Sequence, residues 1–333
     1  MPACRPVRLR NGRQGGHGET WRSSHFKIES NEHMKPPDLK KFLIILFLII
    51  CLSGPDVVAQ KTASIRVMTY NIRYENQWDT GAISWASRKD FILSTIQFHK
   101  ADIIGMQEVL HSQLQFFDSS LKDFSHVGVG REDGKEKGEY APVFFNADLF
   151  EQLKDSVFWL SPTPGQVSKG WDAELERICT WVKLKDRRNG KIFYVFNTHF
   201  DHIGVKAREE SAGLILYQVK RIAGDAPVIL TGDFNTAEET VPIQVLTGKA
   251  GQNNFFLFDA MRISKLPHHG SVKTFCGFNL KDGVIGDRID YIFVTKNVSV
   301  LSHATLTDFT GDHFPSDHFP VMSEVRVNLL KSK

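Results

Sequence analysis

From residue 65 onward, apolar positions along the chain follow two alternating rhythms. Ile65 to Ile72 is apolar and β-branched with little polar interruption, as expected of a strand buried on both faces. Trp85 to Lys100 (WASRKDFILSTIQFHK) carries apolar residues at helical spacing. Asp102 to Val109 reads as a second strand and His111 to Leu121 as a second helix. Strands then dominate: Tyr140 to Phe145, Val157 to Leu160, Ile178 to Leu184 and Lys191 to Phe200. Arg188-Asn189-Gly190 supplies a hairpin turn between the last two. A helix over Val205 to Ile222 leads to a strand at Pro227 to Leu230, and further strands cover Arg288 to Val294, Val298 to Leu306 and Val321 to Val327. No linker, repeat or low-complexity break interrupts this run. The pattern predicts one α/β domain over residues 60–333, two sheets with helices outside.

The N-terminal part reads differently. Lys40-Lys41 precedes an apolar run from Phe42 to Leu52, followed by Gly54-Pro55 and the small-residue end Val57-Val58-Ala59. That run is short for a bilayer span, which needs about 20 residues. It predicts an export signal over 34–59 with cleavage after Ala59, the alternative being an uncleaved anchor. Residues 1–33 are polar and patternless. They read as sequence upstream of a true start at Met34, or as a disordered leader. The expected location is periplasmic or extracellular, with no stable membrane anchor and no obligate protein partner. Cys179 and Cys276 remain after cleavage, and a count of two leaves open whether they pair.

Charge narrows the function classes. The whole chain has 41 Lys+Arg against 38 Asp+Glu. Residues 1–59 hold nine of the basic and five of the acidic groups, so the remainder has 41 − 9 = 32 against 38 − 5 = 33, a net of −1. Bulk charge therefore gives no support to nucleic-acid binding by the body of the chain. A hydrophobic content of 41% excludes both intrinsic disorder and a multi-span membrane protein.

Polar residues able to do chemistry recur at the ends of the predicted strands. They are Asn71 in M-T-Y-N-I-R, Glu108 in G-M-Q-E-V, His199 in N-T-H-F-D-H, Asp233 and Asn235 in T-G-D-F-N, Asp290 in R-I-D-Y, and Asp317-His318 in P-S-D-H. Singly each has a bland reading: a strand-end cap for Asn71, a helix-start charge for Glu108, a turn for G-D-F-N, a packed histidine for His318. Together they form a set rich in hard oxygen ligands, suited to Mg²⁺, Mn²⁺ or Ca²⁺. Glu108 with Asn71 and one Asp would suffice for Mg²⁺. Asp233 and Asn235 lie two apart, so a carboxylate can activate water while an amide orients it. His318 can contact a scissile phosphate with its tautomer fixed by Asp290 or Asp317, and His199 offers a second phosphate contact. The chain has no G-x-S-x-G and no P-loop.

These motifs, in this order over about 65–328, resemble the endonuclease/exonuclease/phosphatase superfamily. The resemblance implies a four-layered α/β sandwich of two mixed β-sheets flanked by helices. It also implies Mg²⁺ or Mn²⁺ as cofactor, held by Asn71 and Glu108 with Asp317 nearby. By the same resemblance Asp233 is the general base positioned by Asn235, and His318, paired with Asp290, contacts phosphate beside His199. The N-T-H form is more similar to the deadenylase and deoxyribonuclease branches than to the apurinic one. G-R-E-D-G, G-E-Y-A-P-V-F-F, S-K-G-W-D and R-I-C-T-W resemble an exported bacterial subgroup of unassigned substrate.

The W-C-D-R-I stretch of inositol phosphatases is absent; Gly286-Asp287-Arg288-Ile289-Asp290 stands there. A poly-basic surface for duplex DNA is absent too. Arg131, Arg177 and Lys206 are candidates to bind the substrate, or else form exposed ion pairs with Glu132 or Glu174. Trp159, Trp171 and Trp181 suit either a substrate groove or a core. The leading expectation is an exported, metal-dependent hydrolase of a phosphodiester or phosphomonoester, with water activated by Asp233. The charge balance favours a small-molecule or lipid-like substrate over nucleic acid. The rivals are a nuclease using the same chemistry and a non-catalytic surface-binding protein on the same fold.

Overall fold

The computed structural model describes residues 63–250, 254–278 and 286–328. The expected leader (1–33), export signal (34–59) and cleavage point at Ala59 lie outside the described residues.

Among the described residues, twelve strands form two six-stranded sheets. The first sheet contains β1 (Ile65–Asn71), β2 (Ile103–Gln107), β3 (Phe124–Val127), β4 (Val143–Asn146), β11 (Val298–Thr305) and β12 (Val321–Val327), in the order β11-β12-β1-β2-β4-β3. The second contains β5 (Phe150–Trp159), β6 (Ile178–Asp186), β7 (Ile192–His199), β8 (Val228–Asp233), β9 (Phe258–Asp259) and β10 (Asp290–Val294), in the order β5-β6-β7-β8-β10-β9. Each sheet has one parallel pair near its centre, β1/β2 and β7/β8, and antiparallel neighbours on both sides. Parallel strands need a crossover connection. Helices α1 (Trp85–His99) and α3 (Val205–Ala223) provide the two crossovers. Shorter helices are α2 (His111–Ser120), α4 (Val241–Leu246) and α5 (Ala260–Ile263).

Period-two alternation sorts the side chains into layers. Val67, Ile103, Val195, Ile229 and Ile292 meet in a core between the sheets. Their neighbours Met68, Tyr70 and Ile104 face the other way, against Trp85, Ile92 and Phe117 of α1 and α2. Phe196, Leu230 and Phe293 pack against Ile215 and Val219 of α3. The result is the helix–sheet–sheet–helix sandwich expected from the motifs.

The two sheets are also joined by a buried polar bridge. Asn197 donates from Nδ2 to Met106 O (2.7 Å) and Pro142 O (2.9 Å), and its Oδ1 accepts from Gln107 Nε2 (2.7 Å) and Thr231 Oγ1 (2.9 Å). Gly105 leaves room for this contact. A Cβ there would stand 2.1 Å from Thr231 Oγ1 and 2.5 Å from Asn197 Oδ1.

The apolar runs of the sequence do not mark β3, β9 or the first half of β5, and they assign Tyr140–Pro142 to a strand that starts at Val143. Tyr140 makes only an isolated bridge to Val109. Residues 151–156 of β5 are mostly exposed on an edge strand, so they show no apolar alternation. Cys179 and Cys276 are both free and buried, in separate clusters, so they do not pair.

Candidate active site

Strand register assembles the site. In the first sheet Asn71 lies opposite Gln107 at the carboxyl ends of β1 and β2. In the second, Asp233 lies opposite both His199 and Asp290. Each of these strands is short, mostly apolar and buried, with a polar residue at the end that meets the site. The pleat then delivers those terminal groups to one edge of the sandwich.

Asp233 is the centre of the cluster. Its Oδ2 accepts from Asn71 Nδ2 (2.9 Å), and its Oδ1 accepts from the backbone N–H of Asn235 (2.9 Å). His199 Nε2 and His318 Nε2 stand 3.5 Å and 3.8 Å from Oδ2. Burial pushes the Asp233 carboxyl up to about 7, helped by the negative charge of Asp290 and opposed by His318. Asn71 Nδ2 also donates to Glu108 Oε1 (3.0 Å), so one amide nitrogen stands between two carboxylates.

The two histidines differ in state. His318 shares Nδ1 with Asp290 Oδ2 at 2.9 Å. Burial opposes its charge, but Asp290 and Asp233 outweigh burial and hold the imidazolium well above the usual histidine range. His318 is therefore a cationic donor at both nitrogens. His199 is held neutral, first by burial and then by Arg177 and Arg131. Its tautomer follows from a neighbour: Asn235 Nδ2 faces the Phe200 carbonyl (3.0 Å) and also His199 Nε2 (3.0 Å). A carbonyl can only accept, so the amide presents its nitrogen and Nε2 accepts in turn. The proton of His199 thus sits on Nδ1, 3.8 Å from Glu139 Oε2. In this arrangement His199 supports Asn235 and has no Nε2 proton to give a phosphate, which modifies the role expected for it.

Backbone conformation supports the same residues. Asn235 adopts φ 49 and Glu108 φ 60, both left-handed. Asn tolerates that region and Glu does not, so strain is stored at Glu108. Its other carboxylate oxygen accepts from Tyr74 N (3.2 Å). Arg88 is fully buried, and its guanidinium donates to the carbonyls of Ile72, Arg73 and Pro315. Ser316 Oγ donates to Asn71 O (2.7 Å). These bonds tie the loop after β1 to the loop carrying Asp317 and His318. Asp317 itself lies 3.7 Å from Arg73, with its carboxyl raised by burial.

The structure thus brings together Asn71, Glu108, Asp233, Asn235, His199, His318 and Asp290, with Asp317 beside them. Arg131 and Arg177 are placed otherwise than expected. Arg131 is buried and pairs bidentately with Glu139 (2.8 Å twice). Arg177 is buried against Asp201 (3.3 Å) and His202 (3.0 Å). Neither pairs with Glu132 or Glu174, and neither presents a free charge to a substrate phosphate. Desolvation demands a matched carboxylate for each guanidinium, and the partners come from the G-E-Y and F-D-H stretches. Lys206 is exposed at the start of α3. Trp181 packs in the core, and Trp159 donates to Arg131 O (2.8 Å). Sequence reasoning missed Arg88, Glu139 and Asp201. The Arg-Glu pairing was visible only as two charges eight residues apart.

The donor set fits a hard divalent cation. Asp233, Asp290 and His318 each offer a ligand atom, all within 4.8 Å of one another, so this group could bind a metal. Asp290 Oδ1 is buried with no hydrogen-bond partner. His318 occupies the other Asp290 oxygen, and Glu108 offers a further carboxylate beside Asn71.

Comparison with known proteins agrees with the geometry. Residues 68–318 match the model of the endonuclease/exonuclease/phosphatase family. The chain belongs to that family. A crystal structure of a family member from Bacteroides vulgatus is 39% identical, with a TM-score of 0.75, covering 80% of this chain and 100% of that one. A mannosyl-6-phosphatase from Bacteroides thetaiotaomicron is 36% identical, with a TM-score of 0.73, covering 78% and 99%. A 3'-5'-exoribonuclease subunit of the CCR4-Not complex from Mycosarcoma maydis is 24% identical over 82% of this chain and 53% of its own length. The chain spans about half the length of the curated relatives it matches. The chain has the fold and the motifs of this family.

Proposed function

We propose that the protein is an exported, metal-dependent hydrolase of a small phosphorylated molecule, with a phosphomonoester as the preferred substrate. The observation that carries the reading is Asp233, buried, raised to about 7, and set between a cationic and a neutral histidine. A general base works best with a pKa near the operating pH. Asp233 takes the proton of the attacking water. His318 donates from Nε2 to a phosphoryl oxygen, and Asp290 keeps it charged. Asn235, aligned by His199 and Phe200 O, orients the water. Asn71 and Glu108 would hold Mg²⁺ or Mn²⁺, which would supply neutralisation of phosphate charge when bound.

A net charge of −1 outside residues 1–59 and the internally matched Arg131 and Arg177 favour a small substrate over a polyanion. The relative named as a mannosyl-6-phosphatase supports the monoester. The apolar run at Phe42–Leu52 supports export.

The test is turnover of a chromogenic phosphomonoester and a chromogenic phosphodiester, each with Mg²⁺, Mn²⁺ and EDTA. Metal-dependent release favouring the monoester is expected. Preference for the diester would replace the phosphatase reading with a nuclease or phosphodiesterase. N-terminal sequencing of protein from the medium or periplasm should begin at Gln60; an intact Met34 start would contradict export by cleavage.

A further inference from the structure

A cleft of about 470 Å³ adjoins the catalytic cluster, between the loop carrying Tyr74 to Trp78 and the loop carrying Arg131 to Glu139. Two contacts connect it to the chemistry. Tyr74 N donates to Glu108 Oε2 (3.2 Å), and Glu139, in the cleft wall, lies 3.8 Å from His199 Nδ1. The size is in the range of small-ligand pockets.

Its lining is distinctive. Trp78 is 71% exposed, although it stands on a loop that is firmly held. Asn76 Oδ1 accepts from the backbone N–H of Trp78 and of Asp79 (2.9 Å each), Asn76 Nδ2 donates to Asp79 Oδ2 (2.7 Å), and Arg73 Nε donates to the same carboxylate (3.0 Å). The indole is thus presented to solvent by a preorganised turn. Glu75, Glu132 and Glu139 line the walls with Gln77. The lining cation, Arg131, is matched by Glu139. Glu132 pairs with exposed Lys137 (3.1 Å), a weak surface contact. Gly138 makes space for Glu132, whose Cγ would lie 2.7 Å from a Cβ there.

We infer that this cleft receives the neutral, hydroxyl-rich body of the substrate, a sugar ring, while its phosphate lies at Asp233 and His318. The inference rests on the phosphoesterase reading above. Carboxylates and an amide carbonyl accept hydrogen bonds from sugar hydroxyls, and an indole face packs against the C–H face of a ring. The same carboxylates repel a second phosphate, so a nucleotide chain is excluded by charge.

The experiment has two arms on the full chain. In the first, kcat/KM is measured with Mg²⁺ for mannose 6-phosphate, glucose 6-phosphate, the 5'-phosphorylated dinucleotide pApA and p-nitrophenyl phosphate. The expected result is a preference for a sugar phosphate over pApA. In Trp78→Ala and Glu132→Gln the ratio of sugar-phosphate to p-nitrophenyl-phosphate kcat/KM should fall at least tenfold, through KM. In the second arm, calorimetry with Asp233→Asn measures binding of the preferred sugar phosphate, independent of turnover. Weakening of that binding at least tenfold on adding Trp78→Ala supports the cleft. Preference for pApA, an unchanged ratio, or binding that is absent or indifferent to Trp78 overturns it. Loss of turnover on every ester with intact, Trp78-dependent binding would instead sink the phosphoesterase reading and leave the sugar cleft standing.

Discussion

Asp290 Oδ2 lies 2.9 Å from His318 Nδ1, and that contact decides which of the two site histidines carries charge. The opposite histidine, His199, has a buried, cation-flanked environment and stays neutral. One carboxylate therefore separates a donor from an acceptor on either side of Asp233.

Asp290→Asn should lower kcat by about 10²–10⁴, the usual worth of a general acid–base group. It should also move the alkaline limb of the pH–rate profile to lower pH, because the carboxylate that raises His318 is gone. A pH profile with saturating Mg²⁺ checks both effects. An unmoved limb would show that His318 is not the charged donor.

The pair Arg131–Glu139 is buried, so breaking it leaves an unmatched charge. Glu139→Ala should destabilise the fold by about 3–5 kcal/mol in urea melts. Arg131→Met combined with Glu139→Leu should recover most of that loss. If the single and double variants are equally unstable, the ion pair is not the reason for either residue.

His303 tests the acid side of stability. Burial first, then Arg288 and His268, push its imidazole down to about 3. A histidine depressed in the folded state stabilises fully above its unfolded value of about 6.5, and that contribution is lost as pH falls toward 3. The slope for one such group is about 1.4 kcal/mol per pH unit. Urea melts in EDTA at pH 7, 6, 5 and 4 should show His303→Gln with a shallower acid slope than the parent. Equal slopes would rule this histidine out.

Much of this was legible in the sequence because strands buried on both faces are read directly from apolar runs. Ile65–Asn71 and Val228–Asp233 are of that kind, and their terminal Asn and Asp stand out as polar ends. Chemistry alone leaves Asp290 and Asp317 open as the partner of His318 and the family resemblance implies Asp290; the 2.9 Å contact is to Asp290. What the sequence could not show is which polar group meets which across the sandwich. Gln107 and Asn197 sit within the Q-E and N-T-H motifs, yet they bridge the sheets beneath the site. Arg131 and Arg177 looked available because their carboxylate partners come from segments placed beside them only by folding. The early half of β5 escaped because an edge strand in water has no reason to alternate.

The sheet bridge carries its own expectation. Asn197→Ala removes two donors to main-chain carbonyls and leaves Gln107 Nε2 without its shortest acceptor. Orphaned buried groups cost about 1–3 kcal/mol each, so a loss of several kcal/mol is expected by urea melt. A change below about 1 kcal/mol would mean that water replaces the bridge.

The most direct measurement compares the parent with Asp233→Asn on a chromogenic phosphomonoester in Mg²⁺, with melting temperatures in EDTA alongside. Since Asp233 is held above the ordinary carboxyl range, its charge opposes folding as pH rises from about 4 through 7. At pH 8 the account predicts a loss of at least about 10³-fold in kcat together with an equal or higher melting temperature. Turnover within tenfold of the parent would contradict Asp233 as the base and, with it, the central claim.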